Sequence, residues 1–316
     1  MRLWIRKADY PVRLTYRLFC LLCAIGLLSY CSNSSAQSSA ENALFWRISQ
    51  QGQPAGFLLG TIHSEDPRVL DFTDGFIEQL KTCQIFAMEM VPDLPTLTRL
   101  TEYMQYPDDN ALLKFIGRKR FDRVMDALSS YQVPLDWKVK MKVWAVMMTL
   151  SVPPPTTGFF MDFSLSLRAS GSGLKVEGLE TLEQQLSFLE NMPMDYQLAL
   201  LDQALSDYRH VGEIHDQMVD AYLAGDLSVL SALSAEQFSQ LDTEISNYFT
   251  DFGIDARNRR MLDKLLSMLP QSRVFVAVGA LHLTGENGLV ALLRGQGYEL
   301  APLPLPLGPA QEAASR

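Results

Sequence analysis

Residues 57–63 read FLLGTIH and residues 276–282 read VAVGALH. In each stretch an apolar run ends at a glycine, and a histidine follows three positions later: Gly60 to His63, and Gly279 to His282. The second run begins at 274 as VFVAV, where β-branched residues dominate, and reads as a buried strand. In open α/β sheets, functional groups collect beyond the carboxyl ends of the strands. A glycine there lets the backbone turn or approach a neighbour closely, and the histidine after it is carried into the crevice. Neutral imidazole ligates transition metals and also moves protons near neutral pH. If the two strands are neighbours, the two rings converge. A single such motif is more simply a histidine that caps a turn. Two copies after matching strands, in a chain with only four histidines, put the functional reading level with that simpler one.

Outward from these runs, FWRI at 45–48 and the apolar residues 57–59 flank a turn-rich QGQPAG at 51–56, a hairpin signal. Residues 74–83 have helical spacing, and IFAMEM at 85–90 reads as a buried strand. Helical spacing then recurs at 94–105, 110–117, 119–130, 136–150 and 160–169, with VPPP at 152–155 as a clear break. GSG at 171–173 leads into a strand candidate at 174–176. Helices are expected at 181–190, 194–209, 213–223, 227–233, 255–268 and 286–294, and a last short strand at 298–300. Strands at both ends of the chain must therefore pair across a long helical stretch. The fold class is α/β, a mixed central sheet with a large helical insertion.

Composition narrows the function. The chain is 316 residues long, 47% hydrophobic and 20% charged, which excludes wholesale disorder. A net charge of −9 argues against nucleic acid as a partner, because phosphate binding needs a basic face. Residues 1–17 hold five arginines or lysines and one acid, residues 18–28 are apolar (LFCLLCAIGLL), and small polar residues follow. That order reads as a secretory signal. The apolar run is about half of the roughly 20 residues that a membrane-spanning helix requires. The expected organisation is a signal peptide over 1–36, a domain over 37–303, and a proline-rich flexible tail over 304–316. A cut after Ala40 fits almost as well as one after Ala36. The expected location is periplasmic or secreted. An outer-membrane lipoprotein anchored at Cys31 is the alternative, disfavoured by the bulky Tyr30 before it. Three of the four cysteines lie within the signal, so Cys83 stands alone and reads as a buried, inert thiol rather than a nucleophile.

Several charged residues are candidates. Glu89 is the one charged group in its strand candidate and shares a face with Ile85 and Ala87. A buried carboxylate needs a partner or a metal, while an exposed strand end would need neither. Glu177 and Glu180 flank a Gly-Leu turn, and either faces the crevice or opens the next helix. RNRR at 257–260 reads as a solvated helix face, or else places Arg257 and Asn258 to orient a substrate carboxylate or hold a supporting hydrogen bond. His210 and His215, five apart, fall on different faces of a helix and read as surface residues. The chain has no Gly-x-Ser-x-Gly elbow, Walker loop, dinucleotide fingerprint or His-Glu-x-x-His motif.

Taken in order, FLLGTIHSED, AMEM, MDFSLSLRASGSGLKVEGLETLEQQ, ARNRRM and VFVAVGALHLTGENGLVALLRGQGYEL resemble the TraB/GumN family, over about residues 44–303. The resemblance implies an erythromycin esterase/TIKI-like fold and a site containing His63, Glu89 and His282. It places Arg257 and Asn258 at the family's Arg-Asn element, and Asp162 and Glu180 at its Asp and Gly-Leu-Glu-Thr elements. TIKI members of the family are described as metal-dependent proteases. The resulting expectation is an exported metal-dependent hydrolase acting on a peptide or amide bond. His63, Glu89 and His282 would hold a divalent transition metal (Zn, Mn, Fe or Co), and Glu180, or Glu89 if it is not a ligand, would act as general base. Arg257, Asn258 and Asp162 would meet the substrate, a peptide or small molecule. The alternative is a non-catalytic protein that captures such a ligand.

Overall fold

A computed structural model describes residues 42–308. The expected signal peptide, with Cys31 and both candidate cut sites, lies outside the described residues, as do residues 309–316. Residues 42–91, 159–181 and 217–308 form one compact unit, and residues 92–158 with 182–216 form another. Among the described residues no helix is long and apolar enough to cross a membrane.

The first unit carries a six-stranded mixed sheet. Its strands are β1 (Phe45–Gln50), β2 (Gln53–Thr61), β3 (Ile85–Met88), β4 (Lys175–Gly178), β5 (Val274–Gly279) and β6 (Glu299–Leu303). The spatial order is β4-β3-β5-β2-β1-β6. β4, β3, β5 and β2 run parallel, β1 is antiparallel to β2, and β6 is antiparallel to β1. The loop expected at 51–56 contracts to Gln51 and Gly52, whose φ values of 51° and 73° make the tight turn that matches strand twist. β2 therefore starts earlier than its apolar residues suggest. Gly56 makes its contact with β5 possible: its φ is +150°, and a Cβ there would lie 1.9 Å from the Val274 carbonyl oxygen.

β5 is apolar on both faces because both faces are covered. Val274, Val276 and Val278 alternate with Phe275 and Ala277, and all five are buried. The Phe275 ring centroid lies 5.4–6.0 Å from those of Phe45, Phe57, Phe76 and Phe86, and this aromatic group centres the core. The chain forms β2, β3 and β4 before it returns to insert β5 between β2 and β3. Four parallel strands thus end along one edge of the sheet.

The second unit is helical. It contains the helices Leu94–Tyr103, Ala111–Ala127, Leu135–Lys138, Val143–Leu150, Leu182–Glu190 and Met194–Asp207. Two expected helices merge into Ala111–Ala127, with a kink at Gly117 (φ 74°), and the helix expected at 136–150 divides in two. Buried Trp144 fixes the second half: its backbone N–H donates to Gln197 Oε1 at 3.2 Å and its indole N–H to Glu190 Oε1 at 2.7 Å.

Two regions of the sheet-bearing unit depart from expectation. Residues 243–255 form the helix Thr243–Tyr248 and a π-helical stretch, Phe249–Asp255, that runs directly into the helix Ala256–Met268. The start of the tail expected to be flexible is tied down. Thr73 N–H donates to the Pro306 carbonyl at 3.1 Å, and Gly308 N–H to the Asp71 carbonyl at 2.7 Å.

Candidate functional site

The four parallel strand ends deliver one functional group each. His63 follows β2, Glu89 follows β3, Glu180 follows β4, and His282 sits in a 3-10 turn, Ala280–Leu283, that follows β5. All four are buried. Backbone bonds lock the acidic strand ends together: Leu179 N–H donates to the Met88 carbonyl at 2.7 Å, and Glu180 N–H to the Glu89 carbonyl at 2.8 Å. Gly60 supplies the close approach that its motif suggests, because a Cβ there would stand 3.0 Å from Ala280 Cα, in the second motif.

The helix Ala256–Met268 supplies the countercharge. Arg257, Asn258, Met261, Leu262, Leu265 and Met268 are its buried residues, so helical periodicity turns Arg257 and Asn258 inward with the apolar face. Arg257 is fully enclosed. Its Nη2 donates to Glu89 Oε2 at 2.6 Å and its Nε to Glu180 Oε2 at 2.7 Å. Arg260 Nη2 donates to Glu180 Oε1 at 3.0 Å, and Gly279 N–H to Glu89 Oε1 at 2.8 Å. Arg257 therefore holds two carboxylates of the protein, and the solvated basic face expected at 257–260 begins only at Arg259. Arg257, expected to meet a substrate carboxylate, has its guanidinium enclosed, with no exposed surface. Glu180 is likewise enclosed between two arginines, which leaves it poorly placed as a general base.

These contacts set the protonation states. Burial alone would raise the Glu89 pKa, but Arg257, His282 and the Gly279 N–H together take it down to about 2. Burial lowers His282, Glu89 opposes that, and Arg257 reinforces it, leaving the pKa at about 4. Near neutral pH, Glu89 is a carboxylate and His282 a neutral imidazole.

The tautomer of that imidazole follows from hydrogen-bond direction. Asn258 Nδ2 donates to the Asn287 backbone carbonyl at 2.8 Å, and a carbonyl can only accept. Asn258 Oδ1 is thereby turned to His282 Nδ1, 2.6 Å away, so Nδ1 carries the proton. His282 Nε2 is left with its lone pair, buried and without a hydrogen-bond partner, 3.8 Å from Glu89 Oε1. Asn258 thus supports the histidine instead of meeting a substrate, the second of the two roles read from its position.

His63 lies in different surroundings. Its ring stacks on Phe160 at a centroid distance of 4.1 Å, and its Nδ1 faces Asp162 Oδ2 at 3.7 Å. Asp162 opens the helix Met161–Gly171 and accepts the Thr61 hydroxyl at 2.6 Å through its other oxygen. Neither His63 ring nitrogen has a hydrogen-bond partner. Below this pair Tyr222, fully buried, donates its hydroxyl to the Gly60 carbonyl at 2.7 Å. Thr61, Phe160, Tyr222 and Asn287 escape sequence reading. Thr61 stands inside the Gly-x-x-His motif, but the other three carry no local signal.

The metal expectation fits in part. Three buried, unpartnered ring nitrogens on His63 and His282 are suitable donors for a borderline divalent ion, and the Asn258 bond to His282 is the usual support for a ligating imidazole. The expected trio of His63, Glu89 and His282 is not gathered, however. Among the described residues no group of three His, Cys, Asp or Glu side chains is placed to hold one ion. The reason is visible in the partners: Glu89 faces His282, whereas His63 faces Asp162.

Fold and site define an α/β protein with a buried charged cluster at the carboxyl ends of four parallel strands, two of them leading into Gly-x-x-His. The chain belongs to the TraB/PrgY/gumN family, whose sequence profile matches residues 44–302. It is 23% identical to the metalloprotease TIKI homolog of Nematostella vectensis, over 85% of this chain and 69% of that protein. It is 24% identical to metalloprotease TIKI1 of Danio rerio, over 87% of this chain and 66% of that protein. Identity to the YbaP protein of Shigella flexneri is 25%, over 78% of this chain and 90% of that protein. The chain thus spans about two thirds of the length of these TIKI relatives. No solved structure matches it.

Proposed function

We propose that this chain is an exported, protease-like hydrolase that cleaves a peptide or amide bond at the ends of β2, β3 and β5. The observation that carries the reading is the facing pair His282 Nε2 and Glu89 Oε1, 3.8 Å apart. A lone pair and a carboxylate face each other across a gap too long for a hydrogen bond, so a proton donor or a cation belongs between them. The naming of TIKI relatives as metalloproteases supports the same class of chemistry.

In this reading His282 would ligate a divalent ion through Nε2, with Glu89 as the adjacent negative charge. When bound, such an ion lowers the pKa of a water and polarises a carbonyl. His63, whose Nδ1 lies 3.7 Å from an Asp162 carboxylate oxygen, is the residue assigned to proton transfer. That role passes to it from Glu180, whose oxygens are both engaged by arginines. Arg257 holds Glu89 and Glu180 in place, and Asn258 keeps the His282 lone pair directed at Glu89.

The test is cleavage of a peptide library, followed by mass spectrometry, with metal content measured on protein purified without chelator or affinity metal. Products are expected from the wild type, with about 10²–10⁴-fold less from folded His63→Ala and from folded His282→Ala. No product at any enzyme concentration would overturn the hydrolase reading and leave ligand capture in its place. Export over residues 1–36 belongs to the same proposal. The mass of the mature N-terminus decides between a cut near Ala36 and a lipid on Cys31.

A further inference from the structure

Asn258 owes its orientation to a single acceptor, the backbone carbonyl of Asn287. That carbonyl lies in the short segment between the 3-10 turn Ala280–Leu283 and the helix Leu289–Gly295. The segment bends tightly: Gly285 has φ +80°, and a Cβ on Gly288 would stand 2.3 Å from the Thr284 carbonyl oxygen. One side chain ties the bend to the rest of the site. Asn287 Nδ2 donates to Asp255 Oδ2 at 2.6 Å, and Asp255 ends the π-helical stretch two residues before Arg257. The chain of contacts is continuous: Asp255 carboxylate, Asn287 amide, Asn287 carbonyl, Asn258 amide, His282 Nδ1, and finally the His282 lone pair facing Glu89.

We propose that Asn287, anchored by Asp255, is a positioning residue that sets the tautomer of His282. An Asn side chain turned by 180° would offer its NH2 to Nδ1, move the imidazole proton to Nε2, and put an N–H where the lone pair now stands. The fixed Asn287 carbonyl prevents that turn, because it would leave carbonyl facing carbonyl. The Asp255–Asn287 bond is what holds the carbonyl there. The importance of this tautomer for turnover rests on the proposed hydrolase function; the tautomer itself does not.

The experiment uses metal-free protein with 15N-labelled histidine, and long-range 1H–15N correlation near pH 7 to report which ring nitrogen is protonated. The wild type is expected to show His282 with a protonated Nδ1 and a bare Nε2. Asn287→Ala and Asp255→Leu are expected to lose that single pattern and show both tautomers. Asp255→Asn, which keeps an oxygen acceptor for Asn287, is expected to retain it. A wild-type His282 protonated at Nε2 would overturn the proposal without any variant, and so would a folded Asn287→Ala that keeps the wild-type pattern. Should Asn287→Ala not fold, the contrast between Asp255→Leu and Asp255→Asn decides. Peptide cleavage measured alongside separates the two ideas. The expected tautomer in a protein without cleavage activity removes the hydrolase reading alone, and unchanged tautomers in an active enzyme remove the positioning role alone.

Discussion

Replacing Arg257 with methionine is expected to abolish or reverse the rise of stability with pH. Arg257 is fully buried and neutralises both Glu89 and Glu180, so its loss leaves two enclosed carboxylates with less compensation. Breaking a buried pair in this way costs about 3–5 kcal/mol, and methionine limits any added cavity. In the wild type the folded pKa of Glu89, about 2, lies below the roughly 4.3 of an unfolded chain. Its contribution is complete above roughly pH 4.3 and is lost as pH falls towards 2, about 3 kcal/mol at 1.36 kcal/mol per pKa unit. His282, folded at about 4 against roughly 6.5 unfolded, adds a loss of similar size as pH falls from about 6.5 to 4. Both slopes have one sign, so the wild type gains stability as pH rises to about 6.5. Without Arg257, burial dominates at Glu89 and its folded pKa rises above the unfolded one, so ionisation now opposes folding. His282 meanwhile loses the repulsion of Arg257 and its depression shrinks. Urea unfolding from pH 4 to 8 should therefore show wild-type stability climbing, while Arg257→Met stays flat or declines. A variant that is merely less stable, with the wild-type slope intact, would refute this electrostatic account.

Other positions give independent checks. Gly56→Ala should abolish folding or cost at least about 3 kcal/mol in thermal unfolding, because its Cβ would collide with the Val274 carbonyl at a φ that favours glycine. Tyr222→Phe removes the buried donor to the Gly60 carbonyl and should cost about 1–3 kcal/mol in chemical unfolding. Cys83 is buried, and burial pushes its thiol up to about 11. It should react with a thiol reagent at neutral pH only when the protein unfolds, and rapid labelling of the native chain would contradict that.

The parts of the fold set by local pattern were legible in the sequence. β5 announced itself through VFVAV, and the helix Ala256–Met268 through its apolar spacing. Element limits shifted where a turn needed fewer residues than its polar composition suggested, as at Gln51 and Gly52. The π-helical stretch Phe249–Asp255 has no periodic signature of its own and escaped detection. At the site, the two motif histidines and Glu89 stood out because each is a polar group closing an apolar strand. Arg257 was harder, since RNRR looks solvated until it is placed four residues before Met261 on the same helical face. Asp255 and Asn287 matter through partners far apart in the chain, which no local pattern encodes.

The two Gly-x-x-His motifs look like repeats, yet the sheet makes them unequal. β2 and β5 pair in parallel with Gly60 opposite Val278 and Thr61 opposite Gly279. The motifs are therefore one residue out of step. In a strand, a one-residue shift exchanges the faces on which corresponding side chains project. The connections leaving the two strands differ as well. Beyond β2 the chain makes a tight turn at His63, where Ser64 N–H donates to the Ile62 carbonyl at 2.9 Å, and His63 meets Phe160 and Asp162 of one crossover. Beyond β5 it winds into the 3-10 turn that places His282 against Asn258 of another helix. The glycines divide their work correspondingly: Gly60 admits Ala280 at close range, whereas Gly279 donates its N–H to Glu89. A register offset of one residue, together with different turns leaving the two strands, thus makes an apparent symmetric histidine pair into one ring beside a carboxylate and another held in a single tautomer.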